Sequence, residues 1–203
     1  TASVAEPGER DVAPSGRPYS EDREPCANRD PLRQALWGEL HVHSTLSMDA
    51  WLWDVRSTPD DVFRFAKGEE ILFAPLDESG NPTRPARLER PIDFASLTDH
   101  ASFQGEVAMC TRPDGPGYDT HACRFFRGEV PFEPNPAGDF ATRMGGISSA
   151  LQTDGARPTR RGDLCGEDGA NCIGVMKSVW EEQQAAAERH YDRSSNCRFT
   201  SLH

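Results

Sequence analysis

No stretch of this 203-residue chain approaches the roughly 20 consecutive apolar residues that a membrane-spanning helix needs, and no signal peptide is visible at Thr1. Apolar residues are scarce throughout, at 36%, while 17 glycines and 16 prolines punctuate the chain. That balance predicts a loop-rich, partly irregular protein. Basic charge is also in deficit: 22 Lys and Arg against 33 Asp and Glu leave a net charge of -11. Such a field repels a phosphate backbone and argues against nucleic acid as a partner. A small anionic substrate would need a local metal or arginine site to hold it. No internal repeat is evident.

Six cysteines are present, and none forms a Cys-x-x-Cys pair. Their surroundings are rich in Gly, Pro and Asp, so zinc ribbons are poorly supported and disulfides fit better. Locality suggests Cys110 with Cys123 and Cys165 with Cys172, which leaves Cys26 with Cys197, although six cysteines allow other connectivities. These pairings imply an oxidising compartment, periplasmic or secreted. The opening, Thr1 to Pro31, is rich in Pro, Ala, Ser, Glu and Arg, as expected of a mature arm left after removal of a leader. Residues 1–35 are accordingly expected to be an extended, weakly ordered arm, and residues 36–203 a folded domain.

Leu36 to Val42 reads as a first buried strand. Thr58 is placed to cap a helix with Pro59 at its first position, Asp60 and Asp61 in its first turn, and a stop at Lys67-Gly68. Ile71–Pro75 and Ala86–Glu89 flank a turn-forming run at 77–82, which predicts a hairpin. Ile92–Thr98 is expected as the second core strand and Phe103–Met109 as a short helix. Residues 110–139 and 155–168 read as long loops; the second is basic at Arg157, Arg160 and Arg161. The Arg-Gly-Asp tripeptide at 161–163 is short enough to be chance. Ile173–Tyr191 is the clearest helix, with Ile173, Met176, Val179, Trp180 and Ala187 as its apolar face. Arg198–Leu202 resumes strand character, and the alternation of strand and helix predicts an α/β sheet or barrel.

The densest chemistry lies in the run from Gly38 to Ala50, which carries His41-Val42-His43 and then Asp49. Two histidines one residue apart at a strand end share a face, so both imidazoles can reach one metal ion. A second run, Asp93 to His100, again ends a short apolar segment on an Asp-His pair, Asp99-His100. His41, His43, Asp49 and His100 together offer nitrogen and carboxylate ligands suited to zinc, manganese or iron rather than calcium.

Leu40-His41-Val42-His43-Ser44 with Asp49, followed by Thr98-Asp99-His100, resembles the first two motifs of the polymerase-and-histidinol-phosphatase (PHP) superfamily. The runs Phe63–Glu70, Arg87–Phe94 and Arg198–Ser201 are similar to a bacterial PHP-like family of unknown function, family 3604. The resemblance extends from about Trp37 to the end of the chain. It implies a distorted (β/α)7, TIM-like barrel with long disulfide-stapled loops and two or three divalent metal ions (Zn, Mn or Fe) at the C-terminal strand ends. By resemblance, His41 and His43 would share one ion, Asp49 and His100 would hold a second, and Asp99 would support a ligating histidine. The bridging glutamate and the later His and Asp ligands of the PHP pattern are not identifiable here. The resemblance therefore implies the N-terminal part of a larger catalytic unit, its remainder further along the polypeptide or on a second chain.

The expected chemistry is hydrolysis of a small phosphoester by a hydroxide held between metals. Arg64, Lys67, Arg124 and Arg127 are candidates to clamp the phosphate, and His121 and Asp99 are candidate catalytic groups. The alternatives are hydrolysis of an amide, lactone or sulfate ester at the same metals, or a disulfide-stapled binding module without activity.

Overall fold

The structure is a computed structural model that describes residues 23–30, 32, 34–130 and 162–203. Along the chain its elements are β1 (Gly38–Val42), α1 (Met48–Leu52), α2 (Pro59–Ala66), β2 (Ile71–Leu76), β3 (Pro82–Ala86), β4 (Phe94–Leu97), α3 (Gln104–Thr111), α4 (His121–Phe126), α5 (Gly162–Cys165), α6 (Ala170–His190) and β5 (Thr200–Leu202). A single 3-10 turn at Glu167–Gly169 precedes α6. The basic residues Arg157, Arg160 and Arg161 and the parts of the expected loops at 131–139 and 155–161 lie outside the described residues.

β1, β4 and β5 form one parallel sheet in the order β1-β4-β5, and β2 with β3 forms a separate antiparallel hairpin. Burial alternates along β4, with Ala95 and Leu97 inward. Those two side chains meet Val62, Phe63 and Ala66 of α2, Ala186 and Ala187 of α6, and Phe199 beside β5. One face of the sheet is thus covered by two helices. This is the expected α/β class, but the described strands form an open three-stranded sheet and no closed barrel. β1 was expected to be buried, yet Gly38 to His41 are exposed. Among the described residues it is the sheet's edge with one strand partner, and it reaches the helix-covered core through Val42.

Local chemistry explains the elements. The Thr58 hydroxyl accepts the Asp61 N–H while the Asp61 carboxylate accepts the Thr58 N–H, a reciprocal cap with Pro59 behind it. α2 closes at Lys67, and Gly68 takes the left-handed φ of +83° that ends it. In the hairpin, Asp77 accepts N–H bonds from Ser79 and Asn81, so the second strand begins directly at Pro82 rather than at Ala86. α4 occupies part of the expected 110–139 loop, started by the Thr120 hydroxyl accepting the Cys123 N–H.

All three expected disulfides are present: Cys26–Cys197, Cys110–Cys123 and Cys165–Cys172. The last two are fully buried and sit within a second core with Leu52, Val107, Met109, Phe126 and Leu164. The first ties residues 23–30 to the connection before β5, where Glu24 and Ala27 donate N–H bonds to Arg193 and Ser195 carbonyls. This part of the arm is therefore docked, contrary to the expectation of a loose segment.

α6 starts three residues earlier than expected and buries a face that is shifted from the expected one, keeping Val179 and Ala187 but not Ile173 and Trp180. Cys172, Val179, Gln183, Ala186 and Ala187 point inward, while Ile173 and Trp180 are about half exposed. The helix must fit closely against α3, where a Cβ added to Gly105 would stand 2.2 Å from the Cys172 carbonyl oxygen. Small side chains mark that contact, so hydrophobicity alone misplaces the stripe.

No helix among the described residues is long and apolar enough to cross a membrane. Three disulfides are the chemistry of an oxidising environment and are compatible with an extracellular location.

Candidate metal centre at the strand ends

β1 and β4 run parallel, so their C-terminal ends bring His43 and His100 to one edge of the sheet. The His43 and His100 ring centroids are 4.8 Å apart. The chain leaving β1 turns through Ser44 to Ser47 into α1, a short helix absent from the sequence reading, which carries Asp49 back to both rings. An Asp49 carboxylate oxygen stands 3.0 Å from His43 Nδ1 and 3.4 Å from His100 Nε2. One ligand atom from each of these three residues falls within 4.8 Å of the others.

The two Asp49–histidine spacings suit a shared ion. Two ligands each about 2.1 Å from one cation, at angles of about 90–109°, stand about 3.0–3.4 Å apart. Imidazole and carboxylate are also the donor types that zinc, manganese and iron accept. His41 is exposed and its ring stacks on that of His43, with centroids 4.8 Å apart and planes at 30°. It shares the strand-end face, as the His-x-His spacing requires, but it does not join the three-residue cluster.

Ser47 organises the cluster, and sequence reasoning missed it. It is fully buried at the start of α1, where a serine ordinarily caps the helix. Its hydroxyl makes no cap bond here; it donates to Asp49 Oδ1 at 2.5 Å and accepts the His100 N–H at 3.1 Å. Burial by itself would raise the Asp49 carboxyl. The Ser47 hydroxyl, the Ala50 N–H and the two imidazoles outweigh it and hold Asp49 below its ordinary value, ready as an anion. The only sequence signal for Ser47 is its place between His43 and Asp49.

Asp99 does a different job from the one expected. It accepts from the Ser44 N–H at 2.5 Å, the Ser44 hydroxyl at 2.6 Å and Gln183 Nε2 at 2.6 Å. It therefore clamps the end of β1 to β4 and α6 rather than orienting a histidine ring. Burial pushes its carboxyl up, against the pull of those donors.

The four cations named as phosphate contacts are each committed near their own elements. Arg64 pairs with Asp61 and Glu69, both at 2.9 Å, and Lys67 lies 3.9 Å from Glu69. Arg124 and Arg127 pair with Glu129, and Arg127 also donates to the Cys110 and Tyr118 carbonyls. His121 is an exposed first residue of α4. The structure therefore gathers His43, Asp49 and His100, with His41 alongside, and holds the arginines in local ion pairs. A second acidic grouping, Glu106 with Cys165 and Cys172, offers no thiolates because both sulfurs are bonded to each other.

No curated protein and no solved structure matches the chain. One family model, described as a protein of unknown function (DUF3604), matches residues 30–203, and the chain belongs to that family.

Proposed function

We propose that this chain carries part of a metal-dependent hydrolase centre of PHP type, secreted or periplasmic, acting on a small phosphoester. The observation that supports it is the convergence of His43, Asp49 and His100, with both Asp49–histidine spacings matching adjacent ligands on one transition-metal ion. A bound divalent cation there would supply Lewis-acid polarisation of an ester oxygen and acidification of water. The chain's own residues set the stage: Ser47 aims Asp49, Asp99 fixes the Ser44 turn behind His43, and His41 extends the imidazole surface. On this reading the exposed edge at β1 is where further barrel strands pair, from the same polypeptide or from a second chain.

A second reading, hydrolysis of another ester or an amide, is favoured by the cations: the three arginines among the four proposed clamps are bound to carboxylates on nearby segments, and Lys67 lies near Glu69. The test is calorimetric titration with zinc and manganese, followed by metal-dependent hydrolysis of p-nitrophenyl phosphate. Binding of at least one ion per chain that His43→Ala abolishes is expected. Absence of binding, or equal binding by His43→Ala, would sink the metal reading; binding with hydrolysis only of carboxylic or sulfate esters would favour the second.

A further inference from the structure

The sheet has a third parallel strand end, and it also carries an imidazole. His203 directly follows β5, as His43 follows β1 and Asp99-His100 follow β4. In open parallel sheets, ligands bind outside the carboxyl ends of the strands. α6 holds this ring through two residues one turn apart. Trp180 packs against it with centroids 4.3 Å apart, and Gln183 Oε1 lies 3.1 Å from His203 Nε2.

Gln183 is the informative member. It is 2% exposed, and a buried amide is tolerated only where its polar atoms are bonded. The structure gives each end one partner: Nε2 faces Asp99 Oδ2 and Oε1 faces His203. With Asp99 a carboxylate, the form that the Ser44 N–H and hydroxyl favour, the polarity of this chain has one self-consistent solution. The Ser44 backbone N–H can only donate, so Asp99 is met from that side as an acceptor. The amide nitrogen of Gln183 must then face the carboxylate, because the reverse orientation would set oxygen against oxygen. Its carbonyl is left for His203, which must present Nε2–H. With the proton on Nε2, the neutral ring carries its lone pair on Nδ1. Burial lowers the His203 pKa, in keeping with a neutral ring.

We propose that His203 is a further residue of the strand-end site, a neutral imidazole offering Nδ1 as a proton or hydrogen-bond acceptor, and that Gln183 is the positioning residue that fixes it. Its bearing on catalysis rests on the strand-end site being the functional one; the proton placement does not.

The test is 15N-histidine NMR on the whole chain at a pH above the histidine range. The wild-type protein should show His203 protonated on Nε2, with that proton protected from solvent exchange. Gln183→Leu, close in volume, should lose the protection. Gln183→Glu, which keeps an oxygen toward His203, should keep a proton on Nε2. A wild-type proton on Nδ1 would overturn the proposal, as would protection that survives in Gln183→Leu; if that variant fails to fold, the wild-type placement and Gln183→Glu decide. Zinc titration of the same samples separates the two readings. Absent zinc binding defeats the metal centre and leaves the His203 assignment standing, whereas direct ligation of Nδ1 by added zinc would overturn His203 as a proton acceptor.

Discussion

Ser47 and His43 act on the same carboxylate from opposite roles, one as its hydroxyl donor and one as its imidazole neighbour. Removing a partner that orients a metal ligand typically weakens binding about 10–100-fold. Ser47→Ala should therefore lower zinc affinity by that order in calorimetry, and, because it also strands the His100 N–H, it should lower the melting temperature of the metal-free protein as well. An unaltered affinity would show that Asp49 needs no orienting hydroxyl. At this scale His43, Asp49 and His100 were legible because His-x-His and Asp-His are local patterns whose geometry follows from strand periodicity. Ser47, Gln183 and His203 were not, since each owes its role to a hydrogen bond made across the fold.

Among the elements, α2 and α6 are clasped at one end by Asp60, which accepts from Arg189 Nε at 3.1 Å and Nη2 at 2.7 Å and meets His190 Nε2 at 3.0 Å. The Arg189 guanidinium holds the Asp60 carboxyl below its usual range, and burial holds His190 below its own. A depressed carboxylate pKa gives stability that is present above the unfolded value and lost as pH falls through the folded one. A depressed histidine has the same sign, because the neutral form is the one the fold favours. Stability should thus fall on acidification, first below the histidine range and then through the carboxylate range, and Asp60→Asn should flatten the second part. The clasp is partly exposed, so the loss at neutral pH should be under about 1 kcal/mol in urea melts.

The helix start at Thr58 was fully readable, since cap, proline and acidic first turn are contiguous. Thr58→Ala is expected to cost about 1 kcal/mol by the same measurement. The α3–α6 contact was not readable. Gly105 abuts the Cys172 carbonyl, and Gly105→Ala should cost about 1–3 kcal/mol as an overpacked core position.

Across the whole molecule the three disulfides divide into two kinds. Cys110–Cys123 and Cys165–Cys172 are 0% exposed within the core, whereas Cys26 and Cys197 are only partly buried. The Arg23 guanidinium lies 3.3 Å from Cys26 Sγ and 2.6 Å from Cys197 Sγ, a position that favours a departing thiolate. Under a limiting dithiol, Cys26–Cys197 should open first, seen as alkylation of those two residues alone in mass spectrometry. Simultaneous labelling of all six cysteines would contradict that order. Replacing the pair by serine should cost about 2–5 kcal/mol, because the bridge closes most of the chain into one loop, with a sequence separation of 171.

What the sequence alone determined was whatever is local or chemical: the α/β alternation, the cap of α2, the histidine and aspartate donor set, and a cysteine pairing argued from proximity along the chain. Only the tertiary structure decided the rest. It set β1, β4 and β5 in one parallel sheet, turned Gln183 inward and Trp180 outward on α6, and tied the arginines into local ion pairs. It also seated His203 beside Gln183 at the third strand end. The physical reason is one of range: caps and ligand spacings are set within a few residues, whereas burial and hydrogen-bond partners depend on which surfaces meet.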